Sequence, residues 1–184
     1  MTHKLTWVKP WKTLSSREVY QNRWMRLRED IAQMPTGKTT IYGVVECADC
    51  VGVLPFVDAD HVVMVRQFRY VFGEDHRWEM PTGGVKPGET AEAAARRELI
   101  EEAGYDAGEL QLVSTYYTSK SIMREVGHLY IGRALTKVQA IPDETEFFEI
   151  AIMPFEQVLH MVNRSEIRDS MTVIAVLQAA RLRG

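Results

Sequence analysis

The sequence predicts a mixed α/β domain with helices packed around a sheet. Three observations lead there. Alternating and β-branched segments crowd the first third of the chain, an alanine-rich stretch at residues 90–103 carries the signals of both helix ends, and two amphipathic helical stretches close the chain. At 184 residues, 46% hydrophobic and 26% charged, the composition is that of one globular domain able to bury a core.

Taken in order, residues 18–28 (EVYQNRWMRLR) alternate large apolar and polar side chains, which predicts one half-exposed strand. Pro35-Thr36-Gly37 is a turn, after which residues 39–45 resume as strand. Two apolar segments, 51–57 and 61–68, flank Asp58-Ala59-Asp60 and read as a hairpin. A loop rich in glycine and proline spans 80–88. The helix at 90–103 follows, with Thr90 as N-cap and Gly104 just past its end. Residues 111–118, 128–135 and 147–153 are read as strands, and 154–163 and 169–181 as helices. In the last helix Asp169 is the N-cap, and Val173, Val176, Leu177 and Ala180 form the expected buried stripe.

Several classes of function are disfavoured. No apolar run approaches the roughly 18 residues of a membrane span, and residues 1–12 show no signal-type apolar stretch, so no membrane partner and a cytoplasmic location are expected. A net charge of −3 argues against holding nucleic acid on a broad basic face. It does not argue against a phosphorylated small molecule, because a metal can bring the positive charge. Cys47 and Cys50 form a lone CxxC without the second pair of ligands that zinc needs, and both are read as structural.

The chemistry concentrates in residues 83–105, GGVKPGETAEAAARRELIEEAGY. On a helix, Glu98 and Glu102 are spaced i,i+4 and Glu98 and Glu101 i,i+3, so the three can share a face. Two like charges 4 Å apart repel by about 4 kcal/mol at an effective dielectric near 20. Ionised carboxylates so crowded favour a hard cation such as Mg²⁺ or Mn²⁺ between them. Arg97 lies on a different face, where it either pairs with Glu101 or folds back to Glu89. An acidic helix face alone is usually just solvated. Here Pro81-Thr82-Gly83-Gly84 brings flexible backbone to the helix start, which favours a ligand site.

Gly83, Glu89, Arg97, Glu98, Glu101, Glu102 and Gly104 match every glycine and charged position of the Nudix signature, which the segment resembles; Tyr105 replaces the usual aliphatic residue. Seven positions matched at roughly 7% each put chance agreement near one in 10⁸ per start. The resemblance extends over residues 15–182 and is closest to the branch that hydrolyses ADP-ribose and other nucleoside-diphosphate sugars. Glu18-Val19-Tyr20, Val65 through Tyr70, Trp78 through Gly83, Ser119 through Glu125 and Glu166 through Ser170 carry it.

What the resemblance implies is an α/β/α sandwich at residues 46–184, preceded by an antiparallel β extension at 1–45 that helps form a homodimer. It implies metal ligands at Glu98, Glu101, Glu102 and the Thr82 carbonyl, where the family usually has alanine. Gly83, Glu89, Arg97 and Gly104 are architectural. Arg69 and Glu79 shape the substrate pocket, and Glu125, or failing it Glu102, orients and deprotonates the attacking water. Lys120 and Ser121 replace the proline and glycine of ADP-ribose hydrolases, and Lys120 is expected to contact phosphate or sugar. The substrate class is a nucleoside diphosphate linked to a second group. ADP-ribose stands first, with GDP-mannose or ADP-glucose behind. A silent nucleotide sensor has no need of a full acidic box, and an RNA-cap hydrolase would favour a basic tract. Tyr20, Trp24, Phe68, Tyr70 and Tyr116 either stack on a base or fill the core.

Overall fold

The computed structural model describes residues 10–139 and 149–183. Its strands are β1 (Lys12–Gln21), β2 (Met25–Gln33), β3 (Thr39–Cys47), β4 (Cys50–Pro55), β5 (His61–Arg69), β6 (Glu74–Glu79), β7 (Thr82–Gly84), β8 (Tyr105–Tyr117), β9 (Met123–Arg124), β10 (Val126–Lys137) and β11 (Glu149–Pro154). The helices are α1 (Ala91–Ala103), α2 (Phe155–Asn163) and α3 (Ser170–Arg183). Among the described residues no helix is long and apolar enough to cross a membrane. The chain divides into two units, one of residues 1–48 with 117–125 and one of residues 49–116 with 126–184.

In the first unit β1, β2 and β3 form an antiparallel meander, and β9 runs parallel along β3. The single strand expected over 18–28 is instead the turn region of a hairpin. The Asn22 carboxamide oxygen accepts hydrogen bonds from the N–H groups of Trp24 (2.8 Å) and Met25 (2.9 Å), reversing the chain within three residues. No glycine or proline announces this turn, and the alternation runs through it unbroken. Every residue of β1 is exposed in the single chain, so the expected half-burial is absent there.

The second unit is a three-layered α/β/α arrangement. Its sheets run β7-β4-β10-β8, with β4 and β10 parallel, and β11-β5-β6. The expected β4–β5 hairpin is reduced to one bridge, Phe56 to Val62. Both strands have their two edges taken by other partners, so the ladder cannot extend. Successive residues alternate between two cores, as the period of two dictates. Val51, Val53, Val63, Val65 and Tyr130 pack with Leu99 and the alanines of α1. Leu54, Met64, Leu129 and Ile131 pack on the opposite side with Phe155, Val158 and Val176 from α2 and α3.

Three further expectations shift. The loop at 80–88 contains β7, and β8 begins at Tyr105 rather than 111. Tyr105 itself is buried in the α1-side core, so the departure from the family pattern is accommodated by packing. On α3 Val176 is buried and Val173 and Ala180 pack against the core as expected, but Leu177 is exposed, and Thr172, Ala175 and Ala179 complete the buried face. Small residues win that face because α3 lies close against β4 and β10, where alanine permits near approach. Phe147 and Phe148, the start of the expected strand, lie outside the described residues.

Candidate functional site

Four of the five consecutive residues from Met80 to Gly84, in the larger unit, are each held by a hydrogen bond to a different partner. The Met80 N–H donates to Thr172 Oγ1 at 3.0 Å. The Pro81 carbonyl accepts from the Val53 N–H at 3.0 Å. The Thr82 N–H donates to Glu102 Oε2 at 2.9 Å, and the Gly84 carbonyl accepts from Arg97 Nη2 at 2.9 Å. At Gly83 a Cβ would sit 2.1 Å from the Glu98 carboxyl carbon, so only glycine lets backbone and carboxylate approach this closely.

Local sequence chemistry sets α1 in place opposite this loop. Thr90 Oγ1 accepts from the Ala93 N–H at 3.2 Å, and Gly104, at φ +69°, donates its N–H to the Ile100 carbonyl at 3.1 Å. Ala94, Ala95, Leu99 and Ala103 occupy the core. Glu98 and Glu102 are one turn apart beside that stripe and are buried too, at 8% and 3% exposure. Carboxylates that deep require partners.

Arg97 is a partner of Glu98, as the Thr82 N–H is of Glu102. Its Nε and Nη2 clamp the two oxygens of Glu89 at 2.9 and 3.0 Å, while Nη1 donates to Glu98 Oε1 at 2.6 Å and Glu101 Oε2 at 2.9 Å. Both pairings that the sequence left open therefore occur together. The guanidinium also reaches Glu98, against the expectation from helix faces, because its long stem spans the neighbouring position. Hydrogen bonding from Arg97 is the largest influence on Glu89 and lowers its carboxyl to about 2. The Arg97 guanidinium is in turn held well above its ordinary value, chiefly by Glu89.

A hard divalent cation fits this donor set. Arg97 is shared by Glu89, Glu98 and Glu101, and Glu102 adds a further buried carboxylate, so negative charge exceeds positive around the turn. All the donors are oxygen. Among the described residues no three acidic, histidine or cysteine side chains meet as a ready-made metal cage. Glu98 and Glu101 are drawn to Arg97, and Glu102 to the loop backbone.

Arg69 and Glu79 lie beside the loop and bind one another. Arg69 Nε donates to both Glu79 oxygens at 3.0 and 3.2 Å, and its Nη2 approaches Thr82 Oγ1 at 3.5 Å. Glu79 is buried, and burial lifts its carboxyl above the ordinary range against the opposing pull of Arg69. Glu79 is therefore the buried end of the pair, while Arg69 keeps an exposed side chain.

Lys120 and Glu125 belong to the first unit. Lys120 is exposed on a turn whose backbone is tied to β3 through the Val45 N–H and the Ile122 carbonyl at 2.8 Å. Glu125 is partly buried just after β9, and its charge adds to the burial that pushes the Cys47 thiol upward. A raised thiol is a poor nucleophile, in keeping with a structural Cys47. Of the five candidate aromatics only Tyr116 packs against the core; Tyr20, Trp24, Phe68 and Tyr70 are exposed. Thr172, buried with its hydroxyl on the Met80 N–H, is a contact to the loop that the sequence reading did not single out. Its one legible sign is its place three residues after the cap residue Asp169.

Comparison with known proteins agrees with this architecture. The NUDIX domain model matches residues 48–172, and the model for the nucleoside diphosphate sugar hydrolase N-terminal domain matches residues 11–45. A methanol dehydrogenase activator from Bacillus methanolicus is 31% identical over 167 residues, covering 90% of each chain. An ADP-ribose pyrophosphatase from Bacillus subtilis (strain 168) is 30% identical, also over 90% of each. Among solved structures, an ADP compounds hydrolase superposes with a TM-score of 0.84 over 95% of both chains at 20% identity, a likeness of fold.

Proposed function

The chain belongs to the Nudix family, and from that membership we propose that it hydrolyses the pyrophosphate bond of a nucleoside diphosphate joined to a second group. ADP-ribose is the first choice, giving AMP and ribose 5-phosphate. GDP-mannose or ADP-glucose stands second because of Lys120 and Ser121. The observation that carries the reading is the burial of Glu98 and Glu102 against a loop anchored by hydrogen bonds at Met80, Pro81, Thr82 and Gly84.

In this reading Glu98, Glu101, Glu102 and the Thr82 carbonyl hold Mg²⁺ or Mn²⁺. When bound, the ion neutralises charge on the phosphate oxygens and lowers the pKa of water. Water adds its oxygen to one phosphorus, the bridging oxygen leaves with the other phosphoryl group, and the water proton passes to a carboxylate. Glu125 is the proposed acceptor, with Glu102 as the alternative. Arg69, through its tie to buried Glu79, presents positive charge to the substrate, and Lys120 contacts phosphate or sugar. Arg97 and Glu89 hold the loop to the helix, leaving Glu98 and Glu102 where the loop backbone meets them.

The same reading includes a homodimer formed with the help of the N-terminal β segment. The supporting feature is the exposure of Trp11, Leu14, Val19 and Tyr20 on or next to β1.

A Mg²⁺-dependent hydrolysis screen over ADP-ribose, other nucleotide sugars, dinucleoside polyphosphates and nucleoside triphosphates, with products identified, tests the activity. Glu102→Gln is expected to lower turnover by about 10² or more, as loss of a group acting on the reacting charge does. A wild-type rate for that variant at saturating Mg²⁺ sinks the metal assignment. Separately, comparing Glu125→Gln with Glu102→Gln across pH identifies the base by which variant loses the acidic limb of the rate profile.

A further inference from the structure

Asp169 and Thr172 stand at the start of α3, and Asp169 Oδ2 accepts two hydrogen bonds there. One comes from the Thr172 N–H and one from the Thr172 hydroxyl, each at 2.7 Å. A carboxylate oxygen can only accept, so the hydroxyl proton is committed to Asp169. The hydroxyl oxygen then presents lone-pair density to the Met80 N–H at 3.0 Å. Thr172 and Met80 are both fully buried, so water does not compete for that donor. Two residues along the chain, the Thr82 N–H is fixed on Glu102.

Capping α3 does not require this arrangement. A cap needs only the Asp169 carboxylate and the Thr172 N–H. The contact from hydroxyl to Met80 is additional to the cap, and removing the hydroxyl leaves the backbone cap on Asp169 in place. We propose that Asp169 and Thr172 are positioning residues that hold the Met80 to Thr82 backbone in the register that sets Thr82 against Glu102. The start of α3 thereby controls how tightly the α1 carboxylates take a divalent cation. This rests on the metal reading above.

The test uses the full chain and two readouts besides turnover. One is hydrogen exchange of the Met80 amide without metal; the other is Mn²⁺ titration followed by the electron paramagnetic resonance of the free ion. Thr172→Val is expected to speed Met80 exchange and weaken Mn²⁺ binding by about tenfold each, because a buried N–H loses its acceptor. Thr172→Ser, which restores the hydroxyl, is expected to stay within about twofold of wild type on both counts. Equal Mn²⁺ affinity in the valine variant and wild type overturns the proposal, as does equal loss in the serine variant. If the valine variant does not fold, Asp169→Asn decides. That variant retains the cap but weakens the hold on the hydroxyl, and unchanged exchange and affinity in it again overturn the proposal. Glu102→Gln runs alongside. Mn²⁺ binding by that variant as tight as wild type would remove the metal reading itself, and this inference with it.

Discussion

At the scale of single residues, the site is governed by how close backbone and carboxylate come. Gly83→Ala would place a methyl group 2.1 Å from the Glu98 carboxyl carbon, which must then swing away. We expect turnover at fixed Mg²⁺ to fall at least about tenfold, as displacement of a positioned charged group does, with helix content by circular dichroism unchanged. Glu89 yields a prediction with a definite sign. Its folded carboxyl is depressed from 4.5 to about 2, so the stability it contributes is fully present above 4.5. That contribution is lost as the pH falls through about 2. Urea midpoints measured across this window should therefore fall less steeply for Glu89→Gln than for wild type. An identical slope in the two would show that the Arg97 clamp does not set the Glu89 carboxyl. The acidic residues were legible from spacing alone, since helical geometry follows from sequence position. Thr172 was not, because its partner Met80 is 92 residues away and only folding brings the two together.

At the scale of elements, the ends of α1 could be read directly. Thr90 and Gly104 act on their own neighbours, so no distant contact was needed to place them. The hairpin at Asn22 and the placing of Leu177 on α3 were misread for related reasons. Alternation reports which side a residue takes but not where the chain reverses, and apolar size reports a preference for burial but not how near the neighbouring layer lies. The α3 correction can be checked. Leu177 is exposed and Ala175 fully buried, so Leu177→Ala is expected to change stability by no more than about 0.5 kcal/mol. Ala175→Leu should cost about 1–3 kcal/mol through overpacking. Denaturation midpoints that ranked the two the other way would return Leu177 to the buried stripe.

At the scale of the whole molecule, the exposure of all ten β1 residues calls for a second copy in the proposed reading. Sedimentation equilibrium should return twice the 21.1 kDa chain mass at micromolar concentration. Replacing Leu14 and Val19 by lysine should shift the mass toward one chain. A monomeric wild-type chain would remove the dimer from the proposal.

By itself the sequence determined the type of the longer helices and strands, the two ends of α1, the acidic turn and the family to which that turn belongs. Each of these is local, set by neighbours within a few positions and readable from the period of a helix or strand. Tertiary structure alone decided that β4 and β5 enter different sheets, that Arg97 serves three carboxylates at once, and that α3 reaches across to Met80. Those outcomes depend on which strand edges and buried donors other parts of the chain have already taken. Such competition is settled only when distant segments pack, because a buried polar group must find its partner wherever the fold supplies one.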